Sequence, residues 1–251
     1  MDKTALITGA TAGFGKACAK LFAANGYKLI ITGRREKKLE NLKNKLSNTV
    51  DVLAITMDVQ LKDKVFAQIK NIPENFQNID VLVNNAGLAL GLEPAQTADL
   101  DDWEQMINTN IKGLVYLTKA VLPIMVKREK GHIVNIGSIA GTYPYPGGNT
   151  YGGTKAFVKQ FSRNLRCDLL GTGINVTNIE PGLAHTEFSE VRFHGDKKKA
   201  DNVYKGMEPI LAKDIAETVL WSVMRPCHIN INSIEIMPTC QAWGPFAFDK
   251  K

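Results

Sequence analysis

Tyr151 and Lys155 stand four residues apart, and Ser138 precedes Tyr151 by thirteen. Four residues along a helix put two side chains on one face. A free phenol titrates near about 10 and is a poor base at neutral pH. An ammonium beside it stabilises the phenolate and lowers that value. Tyr151 is thereby suited to take a proton from an alcohol oxygen, or to return one to a carbonyl oxygen. Ser138 follows Ile136-Gly137, at what reads as a strand end. There its hydroxyl can bond the same oxygen while charge develops on it. Taken alone, Tyr-x-x-x-Lys is a common pair of surface helix neighbours, so its meaning depends on the elements around it.

The first apolar run ends in Thr8-Gly9-Ala10-Thr11-Ala12-Gly13-Phe14-Gly15 and passes directly into a helical pattern. Gly9 permits a tight turn, Gly13 lets backbone approach a pyrophosphate, and Gly15 lets helix and strand pack closely. The helix start then offers free N–H groups and a positive dipole end to phosphates. Thr8, Gly9, Thr11, Gly13, Phe14 and Gly15 are therefore candidate cofactor contacts. The second apolar run ends Ile31-Thr32-Gly33-Arg34-Arg35. A site for NAD places a carboxylate near this point to hold the ribose 2′-hydroxyl. Two arginines in its place favour a 2′-phosphate, which a guanidinium binds in bidentate fashion. The expected cofactor is NADP.

Along the chain, short β-branched runs alternate with helix-period segments. Strands are expected at Thr4–Thr8, Lys28–Thr32, Val52–Met57, Val81–Asn84, His132–Ile136, Asn175–Ile179 and Ser233–Met237. Helices are expected at Gly15–Asn25, Glu36–Leu46, Leu61–Ile72, Leu100–Val126, Tyr151–Leu170 and Lys213–Met224. The strands lack strict alternation, as strands covered on both faces should. Strand, helix, strand, repeated, implies an α/β fold: a doubly wound Rossmann-type sheet of seven parallel strands with helices on both faces. No linker divides residues 1–251, so one domain is expected. The polar stretch 183–208 breaks the alternation, and a loop of that length in a compact domain is usually a functional lid.

Composition narrows the partners. The chain has 251 residues, 44% of them apolar and 22% charged, which suits a folded globular domain rather than a disordered one. The net charge is +6, yet the basic residues are dispersed and the densest run is only Lys197–Lys199. Such a field suits an anionic small molecule and gives no motif for nucleic acid. Cys18, Cys167, Cys227 and Cys240 form no Cys-x-x-Cys pair and have no nearby histidine cluster, so no metal site is expected and the thiols read as reduced. No secretory or membrane-spanning segment is recognisable. The expected setting is the cytoplasm, with no membrane partner.

Thr8-Gly9-x-x-x-Gly13-x-Gly15, Asn84-Asn85-Ala86-Gly87, Asn110-Ile-Lys-Gly, Ser138, Tyr151-x-x-x-Lys155 and Pro181-Gly182 occur together and in this order. On these motifs the chain resembles the short-chain dehydrogenase/reductase family over nearly its whole length. The resemblance implies a catalytic tetrad of Asn110, Ser138, Tyr151 and Lys155, with a water on the Asn110 carbonyl relaying protons to the lysine. It implies that Lys155 also binds the nicotinamide ribose. Asp58 and Val59 would meet the adenine, and Asn85, Ala86 and Gly87 would line the cofactor trench. Pro181, Gly182 and Thr186 would lie at the nicotinamide end. One departure is Ala12, where some NADP-using members carry a basic residue, so selection of NADP would rest on Arg34 and Arg35.

The segments from Ser138 to Tyr151 and from Glu180 to Asp196 resemble the NADP-dependent 3-hydroxy acid dehydrogenase subgroup. That implies substrates such as serine, L-allo-threonine, 3-hydroxyisobutyrate or 3-hydroxypropionate. It also implies a homotetramer that pairs the helices expected at Leu100–Val126 and Tyr151–Leu170. Such a substrate needs a carboxylate anchor, and Arg192 in the lid is the candidate. A solvent-facing arginine is the plainer alternative. Pro144, Tyr145 and Gly147 are candidates for shaping the pocket. His185 and His194 receive no role, and Trp243 and Phe246 read as pocket wall or subunit contacts, the latter preferred. A 3-ketoacyl or broad carbonyl reductase of the same family is the neighbouring reading. A non-catalytic cofactor-binding regulator is the distant one, since such proteins tend to lose the tyrosine or lysine.

Overall fold

A computed structural model describes residues 3–244 and the backbone of 247–248; Phe246 lies outside the described residues. Seven parallel strands form one sheet in the order β3-β2-β1-β4-β5-β6-β9. They are β1 (Thr4–Ile7), β2 (Lys28–Gly33), β3 (Val52–Thr56), β4 (Ile79–Asn84), β5 (Gly131–Ile136), β6 (Ile174–Pro181) and β9 (Ser233–Ile236). Each expected strand is present, and boundaries move by one to two residues. The order reverses between β1 and β4, which opens a crevice at the carboxyl ends of those strands.

The two sheet faces are covered differently. On one lie α1 (Gly13–Ala24), α2 (Glu36–Leu46) and α9 (Ala212–Val223), whose Cys18, Phe22, Leu39, Ile215 and Val219 pack on Ile7, Ile31 and Val83. Burial pushes the Cys18 thiol up to about 12, so it stays protonated and acts as a small apolar group. On the other face α3 (Lys62–Lys70), α5 (Leu114–Lys127) and α6 (Asn149–Asp168) bring Val65, Leu117, Val121 and Leu165 against Leu6, Ile30, Leu82 and Ile133.

A buried polar seam runs beneath the site. Asn84 Nδ2 donates to Thr118 Oγ1 at 3.0 Å and to Asn135 Oδ1 at 2.9 Å. Asn135 Nδ2 donates to Ser162 Oγ at 2.8 Å, tying β4 and β5 to α5 and α6. Asn84 thus finishes a buried strand as a cross-link.

Two expectations need correction. The single helix expected over Leu100–Val126 is interrupted: α4 (Leu100–Ile107) gives way to one π-helical turn at Asn108–Gly113 before α5. The Asn110 side chain there is committed to Leu88 and Thr154, and a Cβ on Gly113 would lie 2.6 Å from Val59 Cγ2. Neighbours inserted on this scale shift a helix ladder by one residue. The second correction is the stretch 183–208, which is not a structureless loop. It holds β7 (Ala184–His185), α7 (Phe188–Arg192) and α8 (Lys197–Asn202), and β7 pairs in parallel with β8 (Ile210–Leu211). A short hairpin of β10 (Gln241–Ala242) and β11 (Ala247–Phe248) follows the main sheet.

No helix among the described residues is long and apolar enough to cross a membrane. No group of three or more His, Cys, Asp or Glu side chains able to hold a metal occurs among them.

His132, buried in β5, bonds Thr177 Oγ1 at 2.7 Å, and burial lowers its pKa from 6.5 to about 4. Between those values the unfolded chain takes up a proton that the fold refuses. Stability therefore falls as pH falls through this window, by up to about 3 kcal/mol near pH 4. His132→Gln keeps a partner for Thr177 and removes the titration. Its melting temperature should fall less steeply than that of the parent between pH 7 and pH 4; parallel curves would refute this.

Candidate active site

The glycine turn is held from β4. Thr8 Oγ1 accepts from the backbone N–H groups of Asn85 and Ala86 at 3.0 and 2.9 Å, and Asn85 Nδ2 donates to the carbonyls of Thr8 and Gly9 at 2.8 and 3.3 Å. Gly9 takes a φ of +65°, in the left-handed region. The tightest approach is at Gly15, where a Cβ would lie 2.4 Å from Asn85 Nδ2 and 2.5 Å from the Gly9 carbonyl oxygen. Thr8 and Asn85 therefore brace the turn with their side chains. The turn's open face is closed by the lid: a Cβ on Gly13 would meet Thr186 Cβ at 3.3 Å.

Arg34 and Arg35 are exposed where β2 passes into α2. Arg35 donates to Thr11 Oγ1 from Nε at 3.1 Å and from Nη2 at 2.8 Å, so it already spans the turn. Its Nη1 reaches Glu187 of the lid at 2.7 Å, and Lys38 reaches the other oxygen of Glu187 at 3.4 Å. These cations hold the Glu187 carboxyl below its ordinary value against the opposing effect of burial. Asp58 accepts from the N–H of Gln60 at 3.0 Å and shapes the turn before α3, while Val59 is buried against Gly113.

Tyr151 and Lys155 both face inward from the first turns of α6. Ser138 leaves β5 and caps the 3₁₀ turn Ile139–Gly141: its Oγ accepts from Ala140 N–H at 3.1 Å and donates to the Pro181 carbonyl at 3.4 Å. Burial pushes the Tyr151 phenol up to about 12; the neighbouring Tyr145 adds to the rise, and Arg192 and a hydrogen bond with Ser138 oppose it. Burial also brings the Lys155 ammonium down to about 8. Lys155 Nζ lies 5.8 Å from the Tyr151 ring centre and donates to the Ile136 carbonyl at 2.8 Å. The expectation that a neighbouring ammonium lowers the phenol is thus corrected: burial raises it overall, and the effects opposing that rise come from Arg192 and Ser138.

Asn110 joins the cluster through its side chain. It donates to the Leu88 carbonyl at 2.8 Å and to Thr154 Oγ1 at 3.0 Å, and it accepts from Leu88 N–H at 2.9 Å. This locks the π turn to the strand end next to Gly87 and to α6.

The lid adds groups that sequence reasoning named without placing, or missed. Arg192 lies 5.2 Å from the Tyr151 ring centre and 5.6 Å from those of Tyr145 and Phe188. It donates from Nη2 to the Tyr145 hydroxyl, while its Nε is buried with no hydrogen-bond partner. Phe188 packs edge-on against Tyr151 at 5.7 Å. The lid is pinned at its far side by His194 Nε2 with Asp102 Oδ2 at 3.0 Å, and by Gly91 N–H donating to the Arg192 carbonyl at 2.9 Å. Glu187 and Phe188 carry no motif, and only their neighbourhood to Thr186 could have pointed to them.

The family model described as short chain dehydrogenase matches residues 3–197. The chain belongs to that family. The NADP-dependent 3-hydroxy acid dehydrogenase YdfG of Salmonella typhi is 54% identical over 240 residues, covering 95% of this chain and 96% of that protein. Sulfoacetaldehyde reductase 2 of Chromohalobacter salexigens is 51% identical over 251 residues, covering all of both chains. The closed form of serine dehydrogenase complexed with NADP+ superposes with a TM-score of 0.94 at 50% identity, covering 99% of this chain and 100% of that one.

The contact at Gly15 can be tested without any ligand. Gly15→Ala forces a methyl into the Gly9 carbonyl and the Asn85 amide, and overpacking of this kind costs about 1–3 kcal/mol. Denaturant unfolding should show that loss; an unchanged midpoint would mean that the turn is slack.

Proposed function

We propose that the chain is an NADP-dependent dehydrogenase that interconverts a small 3-hydroxy acid and the corresponding 3-oxo acid. The observation that carries the substrate class is Arg192. A guanidinium with a buried, unpartnered Nε stands over the ring of the proton-exchanging tyrosine. An anionic group on the substrate would satisfy that donor while its hydroxyl meets Tyr151 and Ser138.

The residues fit NADP. The turn from Thr8 to Gly15 presents bare backbone at a helix start, and Arg34 and Arg35 stand where a 2′-phosphate would need a cation. Asp58, Val59, Asn85, Ala86, Gly87, Pro181, Gly182 and Thr186 line the same crevice in this reading. NADP, when bound, supplies or accepts the hydride. The Tyr151 phenol exchanges the proton of the substrate oxygen, and Ser138 donates a hydrogen bond to that oxygen. Lys155, poised near about 8, supplies positive charge beside the phenol, and Asn110 holds the π turn that borders it. The lid excludes water through Phe188 and Arg192.

Sulfoacetaldehyde also carries its anion one carbon from the reacting carbon, as a 3-hydroxy acid does. The 51% identical reductase therefore makes a sulfonate the second substrate to try. We also propose a homotetramer. Phe157, exposed on α6 and stacked on Phe161 at 5.7 Å, and the exposed Trp221 and Trp243 are its candidate contacts. The cysteines are free among the described residues, in keeping with work in the cytoplasm.

Two measurements decide these readings. Arg192→Ala should raise KM for L-serine, 3-hydroxypropionate and 2-hydroxyethanesulfonate about tenfold or more, and leave KM for propan-1-ol within about twofold. A uniform change across the panel would remove Arg192 as the anion anchor. The double variant Arg34→Ala, Arg35→Ala should weaken NADP about tenfold or more and NAD far less; equal losses would mean that the arginines do not read the 2′-phosphate.

A further inference from the structure

One turn beyond Lys155 on the same face of α6 lies Lys159, a cation for which the chemistry above has no use. Its Nζ donates to Glu180 Oε2 at 2.8 Å and to Thr142 Oγ1 at 2.6 Å. Glu180 sits in β6 immediately before Pro181 and is 1% exposed. Its other oxygen accepts from Asn178 Nδ2 at 2.9 Å and from the Ser233 hydroxyl. Thr142 directly follows the 3₁₀ turn that Ser138 caps. The two residues that Lys159 ties together therefore flank Ser138 in space. Thr142 ends the turn on one side, and Glu180 precedes the carbonyl that Ser138 Oγ reaches on the other. Between them Gly141 lies so close to α6 that a Cβ would stand 2.7 Å from the Lys155 carbonyl carbon.

We propose that Lys159, Glu180 and Thr142 form a positioning knot that sets Ser138 against Tyr151. This rests on the reading of Ser138 and Tyr151 as the groups that touch the reacting oxygen. Ser138 stands outside the end of β5, on a turn with few residues of its own. Its hydroxyl is useful only within a narrow range of distance from the Tyr151 hydroxyl, and small displacements of such a group cost large factors in rate. The Lys159 bond to Thr142 fixes the far end of that turn to the helix that carries Tyr151. The Lys159 pair with Glu180 fixes the same helix to the strand end that carries Pro181. The Thr142 bond is exposed, so it contributes little to global stability. Its worth, on this argument, lies in geometry. Lys159→Met alone would strand a buried carboxylate and threaten the fold, so Thr142 is the informative handle.

The test uses the full-length enzyme with NADP and L-serine. Thr142→Val should lower kcat about three- to tenfold, with KM, NADP affinity and melting temperature close to those of the parent. Thr142→Ser should restore kcat. Placed on Ser138→Ala, Thr142→Val should cause no further loss, because its effect runs through the serine hydroxyl. Lys159→Met combined with Glu180→Gln leaves no buried charge and should repeat the kcat defect. A parental kcat in Thr142→Val, or a loss that multiplies fully with that of Ser138→Ala, would overturn the proposal. Tyr151→Phe is the control for the underlying reading. Near-normal turnover there would sink the catalytic assignment itself. An inactive Tyr151→Phe that still binds NADP, beside an unaffected Thr142→Val, would sink the knot alone.

Discussion

A lysine ammonium buried at the carboxyl edge of a parallel sheet is the constraint around which this molecule is arranged. Among the described residues no carboxylate pairs with Lys155; its one hydrogen bond runs to the Ile136 carbonyl. Burial brings it from 10.5 to about 8, which corresponds to about 3 kcal/mol spent on keeping it charged in the fold below that pH. Such a cost is tolerated where it serves chemistry. The rest of the fold offsets it: both sheet faces are covered by the apolar faces of helices, and polar side chains beneath the site are cross-linked. Asn84, Asn135 and Ser162 fix the strand ends to α6, so the helix that presents Lys155 and Tyr151 cannot rotate without breaking a buried network.

The lid completes the electrostatics from the other side. Arg192 approaches the ring of Tyr151 from α7 and opposes the rise that burial imposes on the phenol. Glu187 at the other end of the same short helix reaches Arg35 and Lys38. One element thus touches the region assigned to the substrate and the region assigned to the ribose phosphate. Besides the Gly91 bond to the Arg192 carbonyl and the Arg192 bond to Tyr145, its contacts are exposed ion pairs and aromatic edges, each worth little alone. A cover held in this way can open without dismantling the core, which is what a site buried this deeply requires of any entry route.

The sequence was most legible where local chemistry dictates backbone. The glycine turn, the seven β-branched runs and the Tyr-x-x-x-Lys spacing depend on neighbours within a few positions, and each stands close to where periodicity puts it. Legibility failed where distant residues decide. Nothing in the apolar pattern of 100–126 reveals the π turn, because Asn110 is committed to Leu88 and Thr154 across space. The lid helices are too short for periodicity to show. The partners of Arg192 come from Tyr145 and Phe188, and those of Arg35 from Thr11 and Glu187. Only Phe188 and Arg192 stand at helical spacing, and their helix is too short for that spacing to be read; the other pairs join residues 24 to 152 positions apart.

The same contrast separates the roles of the two kinds of residue. The motif residues define what chemistry is possible: a phenol, an ammonium and a hydroxyl near one oxygen, beside bare backbone at a helix start. On the proposed reading, the non-motif residues decide how well aligned those groups are and for which substrate. Arg192 lies outside the motif set, yet it opposes the rise of the Tyr151 phenol and, on the proposed reading, offers its charge to a substrate. An anion bound to it would neutralise the one guanidinium that draws the phenol down, so substrate binding and proton affinity at Tyr151 are coupled through a single side chain. Losing that pull would hold the proton on the phenol more tightly still, so a bound anion would change the acidity of the very group assigned to exchange it.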